Sequence, residues 1–133
     1  MEDASARFFI MAGAISAAIA VIAGAFGAHA LADAVPAARL ATFETAARYE
    51  MYHALALVLV GLLAERGADR SLRWAGQLFL VGTVLFSGSL YLLVLTETPW
   101  LGAITPLGGV AFIAGWLSLA VAAGRRVKRH ERV

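Results

Sequence analysis

Hydrophobic positions in this chain of 133 residues fall into four long runs separated by short charged segments. No acidic or basic side chain occurs from Phe8 to Leu31, from Ala54 to Ala64, from Trp74 to Thr96, or from Thr98 to Gly124. A helix rises 1.5 Å per residue, so about 20 apolar residues cross a hydrocarbon core of about 30 Å. The first and third runs meet that length directly. Thr98-Pro99 interrupts the start of the fourth, which places its helix at about 100–123, still long enough to cross. The second reaches spanning length only if its helix begins at about residue 46, taking Arg48, Glu50 and His53 into its outer turns. The pattern predicts an all-α membrane protein, a bundle of four transmembrane helices at about 8–31, 46–65, 74–95 and 100–123. Residues 1–133 read as a single integral membrane domain, with no tandem repeat or low-complexity region.

Between the first two spans lies "ADAVPAARLATFETAARYEMYH". Pro36 marks a turn, and Leu40, Phe43, Ala47 and Met51 then recur at three- and four-residue spacing. This predicts an amphipathic helix at about 37–45, lying at the outer interface before the chain bends into the second span. Its polar face is mixed rather than basic, which favours a solvated helix over a lipid sensor.

Composition narrows the class further. The chain is 61% hydrophobic and 15% charged, with a mean hydropathy of +0.78, which excludes an ordinary water-soluble domain. The absence of cysteine excludes disulfides, thiolate metal sites and cysteine nucleophiles. Arg7, Arg66, Arg70, Arg73, Arg125, Arg126, Lys128, Arg129 and Arg132 fall on one side of the expected membrane, and only Arg39 and Arg48 on the other. That bias predicts a multi-pass protein of the bacterial inner membrane with both termini cytoplasmic. Trp74 then marks the inner boundary, and Tyr49, Tyr52, Tyr91 and Trp100 cluster towards the outer one. Membrane lipids are the expected partners, with a homo-oligomer or partner membrane subunit as a further contact; nucleic acid is not expected.

The first run closes in "GAFGAHAL", where a histidine ends an otherwise apolar stretch. Ala28-His29-Ala30 has the small-x-small form of a signal cleavage site. The preceding run exceeds the usual 7–15 residues, however, and Glu2 and Asp3 outweigh Arg7 at the start, so cleavage is not expected. Ala20, Gly24 and Ala28 form a small-residue stripe on the first helix, and Ala111 and Gly115 another on the fourth, as close helix approach in lipid requires.

Polar groups within the spans are distributed unevenly. His29, Glu50, His53, Ser87, Ser89, Tyr91 and Thr105 fall in the outer half, and only Gln77, Thr83 and Ser118 in the inner half. A through-channel or proton pump needs polar groups along its whole length, so this distribution disfavours one. Glu50 and His53, three residues apart, share a helix face. Glu-x-x-His is half of a di-metal carboxylate constellation whose other ligands this chain lacks, so neither a metal nor a cofactor is expected. The pair is expected to satisfy itself, or to hold backbone groups freed by Pro106, with His29 joining across the bundle. The candidate polar cluster is His29, Glu50, His53, Ser87 and Thr105. No base stands beside Ser87 or Ser89 in the sequence to activate a nucleophile, and an intramembrane enzyme or transporter is the least favoured class. A non-enzymatic structural or accessory protein is the favoured reading. The alternative is an outer-leaflet lipid, quinone or metal binding protein using His29, Glu50 and His53.

"GAFGAHAL", "RYEMYHALAL", "FSGSLYLL" and "TPLGGVAFIAGW", in this order, resemble the signature stretches of the small inner-membrane proteins grouped as domain of unknown function 423, related to eukaryotic transmembrane protein 256. The resemblance covers nearly the whole chain and implies a four-helix integral membrane protein without a settled biochemical role. Its motifs map onto His29, His53, Ser87 and Thr105-Pro106 and imply no catalytic role for any of them. Where that family often carries glutamine this chain has Glu50, so the resemblance implies no shared carboxylate chemistry.

The nine-to-two division of basic residues predicts the outcome of a topology experiment. A reporter active only in the periplasm should be silent when fused at the C-terminus and active when inserted after Ala34. The reverse pattern would refute the assignment of both termini to the cytoplasm.

Overall fold

A computed structural model describes residues 4–130, the side chains of Arg129 and His130 excepted; Glu2, Asp3 and Arg132 lie outside the described residues. Among the described residues, four helices are long and apolar enough to cross a membrane. We label them α1 (Ala4–Leu31), α2 (Ala37–Ala64), α3 (Arg70–Thr96) and α4 (Thr105–His130), the last preceded by a 3-10 turn at Pro99–Ala103. All four expected spans are present, and most extend past the apolar runs that revealed them. The edge of a charge-free run marks the edge of hydrocarbon, whereas a helix continues for as long as its backbone bonds are made. At the start of α3 the stop is explicit. The Asp69 carboxylate accepts the Leu72 N–H at 2.8 Å, capping the helix four residues before Trp74.

The segment at 37–45 is helical, as its spacing predicts, but the bend expected between it and the second span is absent. Pro36 precedes the first helical residue, and α2 runs unbroken from Ala37 to Ala64. Nothing in this stretch breaks a helix, so the interfacial turns and the span form one rod.

The helices associate as two close pairs, α1 with α2 and α3 with α4, joined where α2 meets α3. Glycine sets both pairings. A Cβ on Gly13 would stand 2.7 Å from the Ala54 carbonyl oxygen, and one on Gly61 2.8 Å from the Ala6 carbonyl oxygen. On α4, Gly108 lies against the backbone of Phe86 and Gly115 against the Phe79 ring. The expected stripe on the fourth helix therefore lies in a helix contact. Of that on the first only Ala20 is buried, because Gly24 has open space beside it and Ala28 is exposed. Gly13 and Gly61 replace it.

The two ends of the bundle are tied differently. At one end Arg126 donates to the Gly67 carbonyl and Arg125 to Ser71 Oγ, which places the end of α4 beside the α2–α3 connection. Gly61 on Ala6 brings the start of α1 to the same end, called here the termini end. At the other, the loop end, Arg39 forms an ion pair with Glu97, which closes α3 in the left-handed conformation (φ 54°).

Two apolar clusters fill the interior. The larger, towards the termini end, is built on Phe9, Leu57, Val60, Leu72, Phe79 and Phe112. The smaller, towards the loop end, joins Leu31, Phe43 and Val94. Large aliphatic side chains such as Ile15, Ile22, Leu55, Val84 and Ile113 are exposed around the outside, as lipid-facing positions allow.

Adding one methyl group distinguishes a packed glycine from an open one. Gly61→Ala should destabilise the protein in detergent by about 1–3 kcal/mol, because the Ala6 carbonyl and the Ile10 nitrogen that face it, beside the Ile10 side chain, are backbone and cannot swing aside. Gly24→Ala should leave the melting temperature unchanged or raised, since alanine is the better helix former.

Candidate functional site

A layer of hydrogen-bonded side chains lies between the two apolar clusters. Glu50, near the middle of α2, is buried, and both its oxygens are occupied. Ser16 Oγ of α1 donates to Oε1 at 3.2 Å, and the Tyr91 hydroxyl of α3 donates to Oε2 at 2.6 Å. One carboxylate thus ties three helices. A buried carboxylate needs such donors, because desolvation without them would cost several kcal/mol.

One turn along α2, His53 bonds through both ring nitrogens. Nδ1 lies 2.7 Å from the Tyr49 carbonyl, which can only accept, so Nδ1 carries the hydrogen. Nε2 is then the acceptor, and it receives the Trp116 indole N–H of α4 at 3.2 Å. The ring also stacks on Phe112, with centroids 3.4 Å apart and planes 6° from parallel. The tautomer follows from the partners, and neither nitrogen is left free.

Ser87 lies in, and Ser89 directly after, a π-helical turn at Val84–Gly88 within α3, where i→i+5 bonding widens the helix. Ser87 donates across to the Ala46 carbonyl of α2 at 2.8 Å. Ser89 gives its single hydroxyl hydrogen to the Phe86 carbonyl at 2.9 Å, so in its 2.6 Å contact with Thr105 the threonine is the donor. Among the described residues, no buried side-chain nitrogen or oxygen lacks a partner.

Several expectations change here. Glu50 and His53 do share a face of α2, but neither satisfies the other: Glu50 is bonded from α1 and α3, and His53 to the Tyr49 carbonyl of its own helix and to Trp116 of α4. Pro106 frees no backbone group, since it stands in the first turn of α4, where its missing N–H would have had no helical partner. Thr105 instead serves Ser89. His29 does not join the cluster: it is exposed, and among the described residues it makes no hydrogen bond, ion pair or ring contact. Its position follows from a second π-helical turn, Gly27–Leu31, which closes α1 with Gly27 against the Phe43 ring and Leu31 buried, turning His29 outward. Tyr91, expected as a boundary anchor, is half-buried and serves Glu50.

Four side-chain partners are absent from the sequence-based cluster: Ser89 and Tyr91, which the sequence places among the polar groups of the outer half, and Ser16 and Trp116, which it does not. Ser16 is the lone hydroxyl in the first apolar run, which is a legible signal. Trp116 carries none, because an indole in a span reads as an apolar or interfacial ring.

A cleft of about 500 Å³ opens beside His53 between α2 and α4. Tyr49, Tyr52 and His53 form one wall; Gly109, Phe112, Ile113 and Trp116 form the other, with Phe86 of α3 at the base.

The family described as Protein of unknown function (DUF423) matches residues 23–109. UPF0382 membrane protein YwdK of Bacillus subtilis is 51% identical over 118 residues, 88% of this chain and 96% of that protein. UPF0382 membrane proteins of Staphylococcus epidermidis and Staphylococcus haemolyticus are 48% and 44% identical over 116 and 115 residues, covering 87% and 86% of this chain and 94% and 93% of theirs. No solved structure matches the chain.

The bonds of the layer should differ in strength according to what each leaves behind. Tyr91→Phe strips a donor from a buried carboxylate and should cost about 1–3 kcal/mol. Ser87→Ala should cost about 0.6 kcal/mol, a usual value between membrane helices, because the Ala46 carbonyl keeps its donor within α2. Denaturation of the two variants in matched detergent checks the order.

Proposed function

The chain belongs to the DUF423 family of membrane proteins, and from that membership we propose that it is a non-enzymatic accessory protein of the bacterial cytoplasmic membrane. It spans that membrane four times with both termini in the cytoplasm, as its nine basic residues on the termini side support. The polar layer holds the four helices in one register and makes them a rigid support for a partner membrane subunit.

The observation that carries this reading is the closure of the layer upon itself. Glu50 receives two hydroxyls, His53 uses both nitrogens, and Ser87 gives its hydrogen to a carbonyl. A catalytic serine needs a base to take its proton, and a carbonyl cannot do so. A metal at His53 would have to displace the Trp116 N–H from the only available lone pair. Every hydrogen-bonding atom of these groups is committed within the protein, and Glu50, His53 and Ser87 each reach a neighbouring helix, which is the arrangement of a structural lock.

Two substitutions at His53 test this. His53→Gln keeps a donor and an acceptor and should melt close to the parent. His53→Leu leaves the Trp116 N–H without its acceptor and should lose about 1–3 kcal/mol. Metal and quinone content of the purified parent and both variants should be negligible. Stoichiometric metal or quinone in the parent, lost from both variants without a fall in melting temperature, would replace the structural reading with a binding one.

A further inference from the structure

Outside the hydrogen-bonded layer, one surface combines an open groove with an uncommitted cation. The groove is the aromatic cleft between α2 and α4, which stays open at Gly109: a Cβ there would meet only the Phe86 ring, at 4.0 Å. Arg48 stands four residues before Tyr52 on α2, one turn nearer the loop end, so the two lie on the same helix face. Arg48 is exposed and, among the described residues, makes no hydrogen bond or ion pair. Glu44, a further turn along the same face, is exposed and does not pair with it. The Tyr49 and Tyr52 hydroxyls, in the groove wall next to Arg48, likewise have no hydrogen-bond partner among the described residues.

We propose that this groove seats one acyl chain of an anionic phospholipid whose phosphate is held by Arg48. From Tyr49 to Ala64, α2 carries no basic residue, and Glu50, its only acid there, is buried; Arg48 is thus the cation at the edge of the apolar stretch. An arginine at that edge calls for an anion, and the guanidinium fork matches phosphate oxygens. The groove below it offers apolar and aromatic walls, and its one imidazole already has both nitrogens bonded. That leaves no ring nitrogen for a quinone carbonyl and favours a hydrocarbon chain. The Tyr49 and Tyr52 hydroxyls supply donors for the ester groups between chain and phosphate. The site rests on the membrane-spanning fold and is independent of the accessory role proposed above.

Native mass spectrometry of the full chain in detergent tests it, with phosphatidylglycerol and phosphatidylcholine of identical acyl chains titrated separately. The parent should retain one phosphatidylglycerol, bound about fivefold more tightly than phosphatidylcholine, whose choline cation offsets the phosphate charge and opposes a neighbouring guanidinium. Arg48→Gln should remove that preference while keeping the parent's melting temperature. Gly109→Leu, which fills the groove, should weaken both lipids, and Ile113→Trp supplies a second filled groove should the first variant fail to fold. Equal binding of the two lipids by the parent would overturn the proposal. So would an Arg48→Gln variant that keeps the preference, or a folded groove-filling variant that binds phosphatidylglycerol like the parent.

Discussion

Hydrocarbon offers no hydrogen bonds, and the interior of this bundle is arranged around that fact. A polar side chain placed in a span must find a protein partner or carry the cost of desolvation. Glu50 is the extreme case, a carboxyl group buried at the middle of α2 and reached by hydroxyls from α1 and α3. Its requirement positions Ser16 and Tyr91 and so fixes how three helices align. His53 extends the same constraint to α4 through Trp116. Two apolar clusters on either side of this layer contribute packing, but apolar contacts alone would tolerate sliding that the hydrogen bonds do not.

Such bonds require helices that approach closely, and glycine supplies the approach. Gly13 and Gly61 bring α1 and α2 nearly into backbone contact, and Gly108 and Gly115 do the same for α3 and α4. Gly108 faces the π-helical turn of α3 at Phe86, within the same turn from which Ser87 reaches the Ala46 carbonyl. The widened turn and the glycine facing it thus belong to one contact. Between α2 and α4, among the described residues, no glycine is packed against the facing helix, Gly109 having only the Phe86 ring of α3 beside it, and the cleft opens among Tyr49, Tyr52 and Trp116.

Much of the candidate site was legible as residue types. Ser87, Ser89 and Thr105 stand out because they fall within apolar runs, and Glu50 and His53 because the second span reaches full length only by including them; polar groups in lipid require partners. The partners themselves were not legible, since Tyr49 contributes a backbone carbonyl and Trp116 an indole N–H, neither of which any spacing rule distinguishes. His29 shows the limit most clearly. Extrapolating a 3.6-residue period to the end of α1 predicts which way a side chain faces only while the helix keeps that period. The π-helical turn at Gly27–Leu31 breaks it, and the exposed imidazole is the result.

The sequence by itself determined the class, the number of spans and which residues would need partners, because each of these follows from hydrophobicity summed along a continuous chain. The glycines can be counted there too, but which of them meet a facing helix, as Gly13 and Gly61 do, cannot be read from it. Tertiary structure alone decided which helices pair, that Glu50 reaches α1 and α3 and His53 reaches α4 rather than each other, that the interfacial turns continue into α2, and that His29 stays outside the layer. Those outcomes depend on the rotation and height of each helix relative to its neighbours. Rotation and height are set by contacts between residues as far apart as His53 and Trp116, about which the local pattern around either residue carries no information.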